Sequence, residues 1–193
     1  MNTPNKLTIA RIIATPLFMA ALMIDFPFHY GVAMLLFILA SLTDMLDGKM
    51  ARKYNLVTNF GKFLDPLADK MLTTSALLGF IALGIGFEIT WITFIVLFRE
   101  FAISSVRLVS VSSGGKVIAA NIWGKLKTVS QMTAIIFALF AKTVTVDLNL
   151  GGVMLSGIFD VIISVLLWLS AILCIISGAI YLFESKDCID PSK

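Results

Sequence analysis

Six long apolar runs, separated by short polar passages, leave this chain few ways to fold. They cover about 7–24, 31–53, 61–83, 89–111, 122–146 and 153–183. Crossing the hydrocarbon core of a bilayer takes about 20 apolar residues in a helix. Inside lipid every backbone polar group needs a partner within the protein, which restricts spanning segments to helices or closed barrels. These runs are long and do not alternate, so a barrel is a poor fit. Composition agrees: 59% of the residues are hydrophobic and 14% charged, against about 45–50% and 25% in soluble domains. The expectation is an all-α integral membrane protein of six transmembrane helices, built as a single domain over 1–193.

Several local features qualify that outline. The basic start and first apolar run also fit a signal peptide, but further spans follow, so 7–24 is read as the first span. Pro66 deprives the carbonyl of Lys62 of its helical donor and is expected to bend the third helix. His29 is expected in the connection before the second helix, with no evident partner. Gly84, Gly86 and Glu88 mark a turn. Gly114-Gly115-Lys116 lacks the first glycine and the hydroxyl residue of a P-loop. Cys174 and Cys188 have no ligand spacing; Cys174 is expected to pack between helices, and no disulfide is expected. Asp160, inside the last run, has no role that the sequence assigns.

Six spans put both termini on one side, together with the second-to-third and fourth-to-fifth connections. All 15 basic residues except Lys142 fall on that side or nearer to it. By the positive-inside rule it is the cytosolic side. The expected location is the cell membrane, and nothing in the charge pattern points to nucleic acid.

The strongest chemical feature runs from Asp44 to Asp69. It reads Asp44-Met-Leu-Asp47-Gly48-Lys-Met-Ala51-Arg52 and, after eight intervening residues, Gly61-Lys-Phe-Leu-Asp65-Pro-Leu-Ala-Asp69. On helices, Asp44 and Asp47 share a face, as do Asp65 and Asp69, with Gly61 one turn earlier. An ionised Asp at mid-membrane depth costs about 2.5–3.5 kcal/mol on insertion scales, so four unanswered ones cost on the order of 10 kcal/mol. A carboxylate-only cluster suits hard divalent cations such as Mg²⁺, Mn²⁺ or Ca²⁺. Gly48, Ala51 and Gly61 leave room for a ligand against the backbone, and Arg52 offers a fork for phosphate. An ion or proton pathway is the alternative use of such acids. It has no need of the Gly/Ala-Arg spacing, and the paired halves typical of transporters are absent from the sequence.

This stretch resembles the signature of the CDP-alcohol phosphotransferase family at every specified position: Asp44, Asp47, Gly48, Ala51, Arg52, Gly61, Asp65 and Asp69. The resemblance implies two divalent cations, Mg²⁺ or Mn²⁺, held by Asp44, Asp47 and Asp65, with Asp69 also in reach. It implies Asp69 as the catalytic base and Gly48, Ala51, Arg52 and Gly61 as the CDP-lipid pocket. It also implies a homodimer.

Further segments carry a second, less specific resemblance. They are Pro4-Asn5-Lys-Leu7-Thr8-Ile-Ala-Arg11, Arg99-Glu100 with Arg107 beyond, and Gly124-Lys125-Leu-Lys127-Thr128 with Gln131. They look like the bacterial branch of the family that joins CDP-diacylglycerol to sn-glycerol 3-phosphate, giving phosphatidylglycerophosphate and CMP. Arg107, Lys125, Lys127 and Arg11 are then the expected contacts for the acceptor's phosphate. Phosphatidylglycerol, serine or an inositol phosphate are alternative acceptors for the same chemistry.

Overall fold

The computed structural model describes residues 3–53, 59–112, 122–150 and 152–185. Six α-helices account for nearly all of them: α1 (Thr3–Met23), α2 (His29–Lys53), α3 (Asn59–Leu83), α4 (Ile89–Ser112), α5 (Ile122–Lys142) and α6 (Gly152–Glu184). No strand occurs among the described residues. The helices close into a ring. α1 lies against α2 and α3, α2 against α5, α5 against α6, α6 against α4, and α4 against α3. Thinner contacts join α3 to α2 and to α5 across the ring.

The interior is filled by Phe18 and Leu22 of α1, Phe37 of α2, Phe80 of α3, Leu139 of α5 and Leu167 of α6, all fully buried. Phe18 and Phe37 meet with ring centroids 5.5 Å apart. The exterior is apolar too, with Phe98, Phe101 and Val153 exposed by 66%, 69% and 92%. So much contiguous apolar surface suits lipid rather than water. α4 over Ile89–Leu108, α5 with its extension to Asp147, and α6 are long and apolar enough to cross a membrane, and shorter apolar stretches lie in α1, α2 and α3.

The fifth apolar run, expected to be one helix over 122–146, changes character at its end. α5 stops at Lys142 and Thr143–Asp147 forms a wider π-helical turn. Within it the Thr143 and Thr145 hydroxyls donate to the carbonyls of Leu139 and Ala141 at 2.8 and 2.9 Å. The Leu148 N–H then reaches back five residues to the Thr143 carbonyl at 2.9 Å. This turn aims Asp147 at the start of α2, where its Oδ2 accepts the Gly31 N–H at 2.8 Å. A carboxylate there satisfies a donor that the helix leaves open and meets the positive end of its dipole.

His29, expected in a connecting loop, is instead the first residue of α2 and is 8% exposed. Phe28 just before it takes a φ of 62°, and the helix begins two residues before the expected start at 31. The imidazole lies against Tyr30, ring centroids 4.0 Å apart, with Asp25 Oδ1 4.0 Å from Nε2. α3 is helical without a break through Pro66. The expected turn at 84–88 is present. Gly86 has a φ of +94°, and a Cβ there would stand 2.7 Å from Leu167 Cδ1. The turn is tied to α6 by the Phe87 N–H donating to Ser164 Oγ at 3.0 Å and the Trp168 indole donating to the Phe87 carbonyl at 3.2 Å. Asp160 also finds its partner, Lys142, at 2.8 Å. Cys174 is buried in α6, as expected, while Cys188 lies outside the described residues.

Candidate active site

The carboxylate signature is divided between two helices. Asp44, Asp47, Gly48, Ala51 and Arg52 fall in the last part of α2; Gly61, Asp65 and Asp69 fall in the first part of α3. The side chains of these eight residues lie outside those described. Among the described residues, no group of three or more His, Cys, Asp and Glu side chains is placed to hold a metal ion.

Immediately after Asp69 a described polar cluster begins. Its centre is Glu100 of α4, a carboxylate with cations on three helices around it. Lys127 Nζ of α5 stands 2.6 Å from Oε1, Arg99 Nη1 of α4 2.9 Å from the same oxygen, and Lys70 Nζ of α3 3.6 Å from Oε2. Lys70 also meets the Ser104 hydroxyl, which donates to the Glu100 carbonyl at 2.6 Å. Arg99 extends the network to α6, its Nη2 donating to Ser177 Oγ at 2.7 Å.

Burial explains why the cluster must be so closely paired. The Lys127 side chain is 9% exposed, Arg99 16% and Glu100 19%. Charges this far from water cost several kcal/mol each unless paired, and removing one partner typically costs about 3–5 kcal/mol. The stem of Arg99 crosses α6 at Gly178, where a Cβ would stand 3.0 Å from Arg99 Cγ.

Two cavities border the cluster. Lys70, Arg99, Glu100, Lys127, Gln131 and two threonines line a polar one of about 90 Å³. An apolar groove of about 310 Å³ runs between α4 and α6, bounded by Phe94, Phe98, Ile175 and Leu182. Arg99 lines both, so its side chain is the wall between an oily groove and a charged pocket.

The basic residues expected at the acceptor phosphate separate into two groups. Lys127 is in the cluster. Arg11 of α1 is 1% exposed, while Arg107 of α4 and Lys125 of α5 are exposed. Sequence reasoning gave no role to Glu100, Lys70 or Ser177. The available signal was an acid inside an apolar run beside Arg99, a residue that cannot stay buried without partners.

The chain matches the CDP-alcohol phosphatidyltransferase family over residues 1–180. It is 37% identical to a Bacillus subtilis (strain 168) protein named CDP-diacylglycerol--glycerol-3-phosphate 3-phosphatidyltransferase, across 100% of this chain and 99% of that protein. A Rickettsia bellii (strain RML369-C) protein of the same name is 39% identical across 96% of each chain. A probable phosphatidylglycerophosphate synthase of Mycobacterium tuberculosis (strain ATCC 25618 / H37Rv) is 41% identical across 69% of this chain and 64% of that one. The match over most of its length, together with these relatives, places the chain in the CDP-alcohol phosphatidyltransferase family.

Proposed function

We propose that this protein transfers the phosphatidyl group of CDP-diacylglycerol to sn-glycerol 3-phosphate, giving phosphatidylglycerophosphate and CMP. The observation that carries the reading is the complete Asp44–Asp69 signature in a chain whose full-length relatives bear that activity in their names. The protein is read as one domain over 1–193 with six spans, both termini and the signature on the cytosolic side of the cell membrane, acting as a homodimer. The charge asymmetry supports this orientation.

The donor set of the signature, carboxylates with no imidazole or thiolate, fits two Mg²⁺ or Mn²⁺ ions and not zinc. Asp44, Asp47, Asp65 and Asp69 are the residues to hold them. When bound, such a pair stabilises the attacking and leaving oxygens of a phosphoryl transfer. Asp69 accepts the proton of the acceptor hydroxyl as the new P–O bond forms, since an ordinary carboxylate is too weak a base to ionise the alcohol beforehand. Arg52 pairs with the pyrophosphate, and Gly48, Ala51 and Gly61 keep the pocket open for the nucleotide. Arg11, Arg107, Lys125 and Lys127 supply the positive field for an acceptor that carries its own phosphate.

The test is CMP release by purified protein given CDP-diacylglycerol and Mg²⁺, with glycerol 3-phosphate, serine, an inositol phosphate or phosphatidylglycerol as acceptor. Release with glycerol 3-phosphate alone supports the reading. Release only with another acceptor keeps the chemistry and replaces the substrate. Folded protein that releases no CMP with any of them overturns it.

A further inference from the structure

The polar cavity beside Glu100 has donors with nothing to donate to. Gln131 is 2% exposed, and its Nε2 is buried with no hydrogen-bond partner. Arg99 Nε is buried in the same condition. Buried polar groups are almost always satisfied, so an orphaned amide lining a cavity points to a ligand. Charge says which kind. Among the described residues lining the cavity, Lys70, Arg99 and Lys127 stand against Glu100, an excess of two positive charges. A phosphate monoester carries about −1.5 to −2 at neutral pH. Size agrees: the cavity, at about 90 Å³, is small, suited to a compact oxyanion and not to a whole nucleotide.

We infer that Glu100 is a positioning residue that fixes Lys70 and Lys127 around an anion subsite completed by Gln131, and that a phosphate monoester occupies it. This rests on the proposed reading, under which that group is the phosphate of the acceptor. Glu100 acts through the cations. Lysine ammonium groups on flexible stems do not hold a separation by themselves. One carboxylate bonded to Lys127 at 2.6 Å and facing Lys70 at 3.6 Å sets it across two helices. The exposed Arg107 and Lys125 are not among the residues lining this pocket and serve approach rather than final contact.

The subsite is tested by full kinetics on Gln131→Ala, Glu100→Gln and Glu100→Asp in the full-length protein. A donor to a charged group changes affinity by about tenfold or more. Gln131→Ala therefore raises the KM for glycerol 3-phosphate about tenfold while the KM for CDP-diacylglycerol stays within about twofold. Glu100→Gln produces a larger rise of the same kind, and Glu100→Asp, which keeps the charge, lies between it and the wild type. Inorganic phosphate, as a competitive inhibitor, weakens in step with the acceptor. An unchanged acceptor KM in Gln131→Ala overturns the inference. So does a rise in the CDP-diacylglycerol KM alone, which assigns the pocket to the pyrophosphate, or a lowered unfolding temperature with both KM values unmoved, which makes the cluster structural only. Gln131→Ala removes no charge and remains decisive where Glu100→Gln fails to fold. Wild-type protein active only with an acceptor lacking phosphate sinks the proposed substrate, and inhibition by inorganic phosphate in wild type against Gln131→Ala still reads the subsite.

Discussion

Gly178 of α6 has no side chain at the point where Arg99 of α4 crosses it, and a Cβ there would stand 3.0 Å from Arg99 Cγ. The arginine has little room to yield, because its guanidinium is held by Glu100 at 2.9 Å and by Ser177 at 2.7 Å. A branched residue at 178 must therefore displace the stem, the head group, or α6 itself. We expect Gly178→Val to lower CMP release about tenfold or more and to lower the unfolding temperature, since overpacking costs about 1–3 kcal/mol. Gly178→Ala should cost less, because alanine regains up to about 1 kcal/mol of helix propensity. Activity and thermal unfolding of both variants in detergent check this; a Gly178→Val enzyme with wild-type turnover would show that Arg99 is not confined.

At the opposite end of the bundle, Lys142 Nζ meets Asp160 Oδ1 at 2.8 Å, joining α5 to α6. Asp160 is half exposed and belongs to no part of the proposed chemistry. Exposed pairs contribute about 0–1 kcal/mol. Lys142→Met should leave CMP release within about twofold of wild type and shift stability by no more than that amount. A large loss of turnover would mean that this end of the molecule is coupled to catalysis.

These residues also mark what a linear reading can and cannot reach. Apolar length alone placed the helices to within a few residues, because each of α1 to α6 is set by a local apolar run bounded by polar passages. The spacing of Asp44, Asp47, Asp65 and Asp69 was legible for the same reason: each pair lies within one helix. Partnerships between helices were not. Asp160 carries no sign in sequence of Lys142, and Glu100 carries none of Lys127 or Lys70. The end of α5 was misread because hydrophobicity continues through Val144 and Val146 into the π-helical turn, where the α-helix has already ended.

Gly86 gives a prediction about the fold rather than the site. Its φ of +94° is a conformation that side chains rarely adopt, and Leu167 Cδ1 lies 2.7 Å from where a Cβ would stand. Left-handed backbone costs about 1–2 kcal/mol for a residue with a Cβ. Gly86→Ala should lower the unfolding midpoint by at least that equivalent, with the CDP-diacylglycerol and acceptor KM values unchanged. A variant as stable as the wild type would mean that the α3–α4 turn relaxes without cost.

The proposed orientation puts Glu88, in the exposed α3–α4 turn, outside the cell, and Cys188, beyond α6, inside. Intact cells carrying Glu88→Cys should be labelled by a membrane-impermeant maleimide at position 88. Cys188 should be labelled only after the cells are opened. Labelling of Cys188 in intact cells, with position 88 protected, would invert the topology and remove the cytosolic placement of the signature.

Asp69 is the sharpest single test of the chemistry. It sits on α3 directly before Lys70, so the proposed base and the proposed anion subsite are neighbours along one helix. Asp69→Asn keeps the size of the side chain and removes its charge and its ability to take a proton. General-base contributions are typically about 10²–10⁴-fold, so turnover should fall by at least that factor. The unfolding temperature should hold or rise, because one fewer negative charge relieves repulsion within the signature. Asp160→Asn is the matched control: the same chemical change, far from the signature in sequence, with turnover expected within about twofold. Asp69→Asn with near-normal turnover would remove Asp69 from the base role and leave proton acceptance to another group. Equal losses in both variants would point to a general effect of losing an acid and not to chemistry at Asp69.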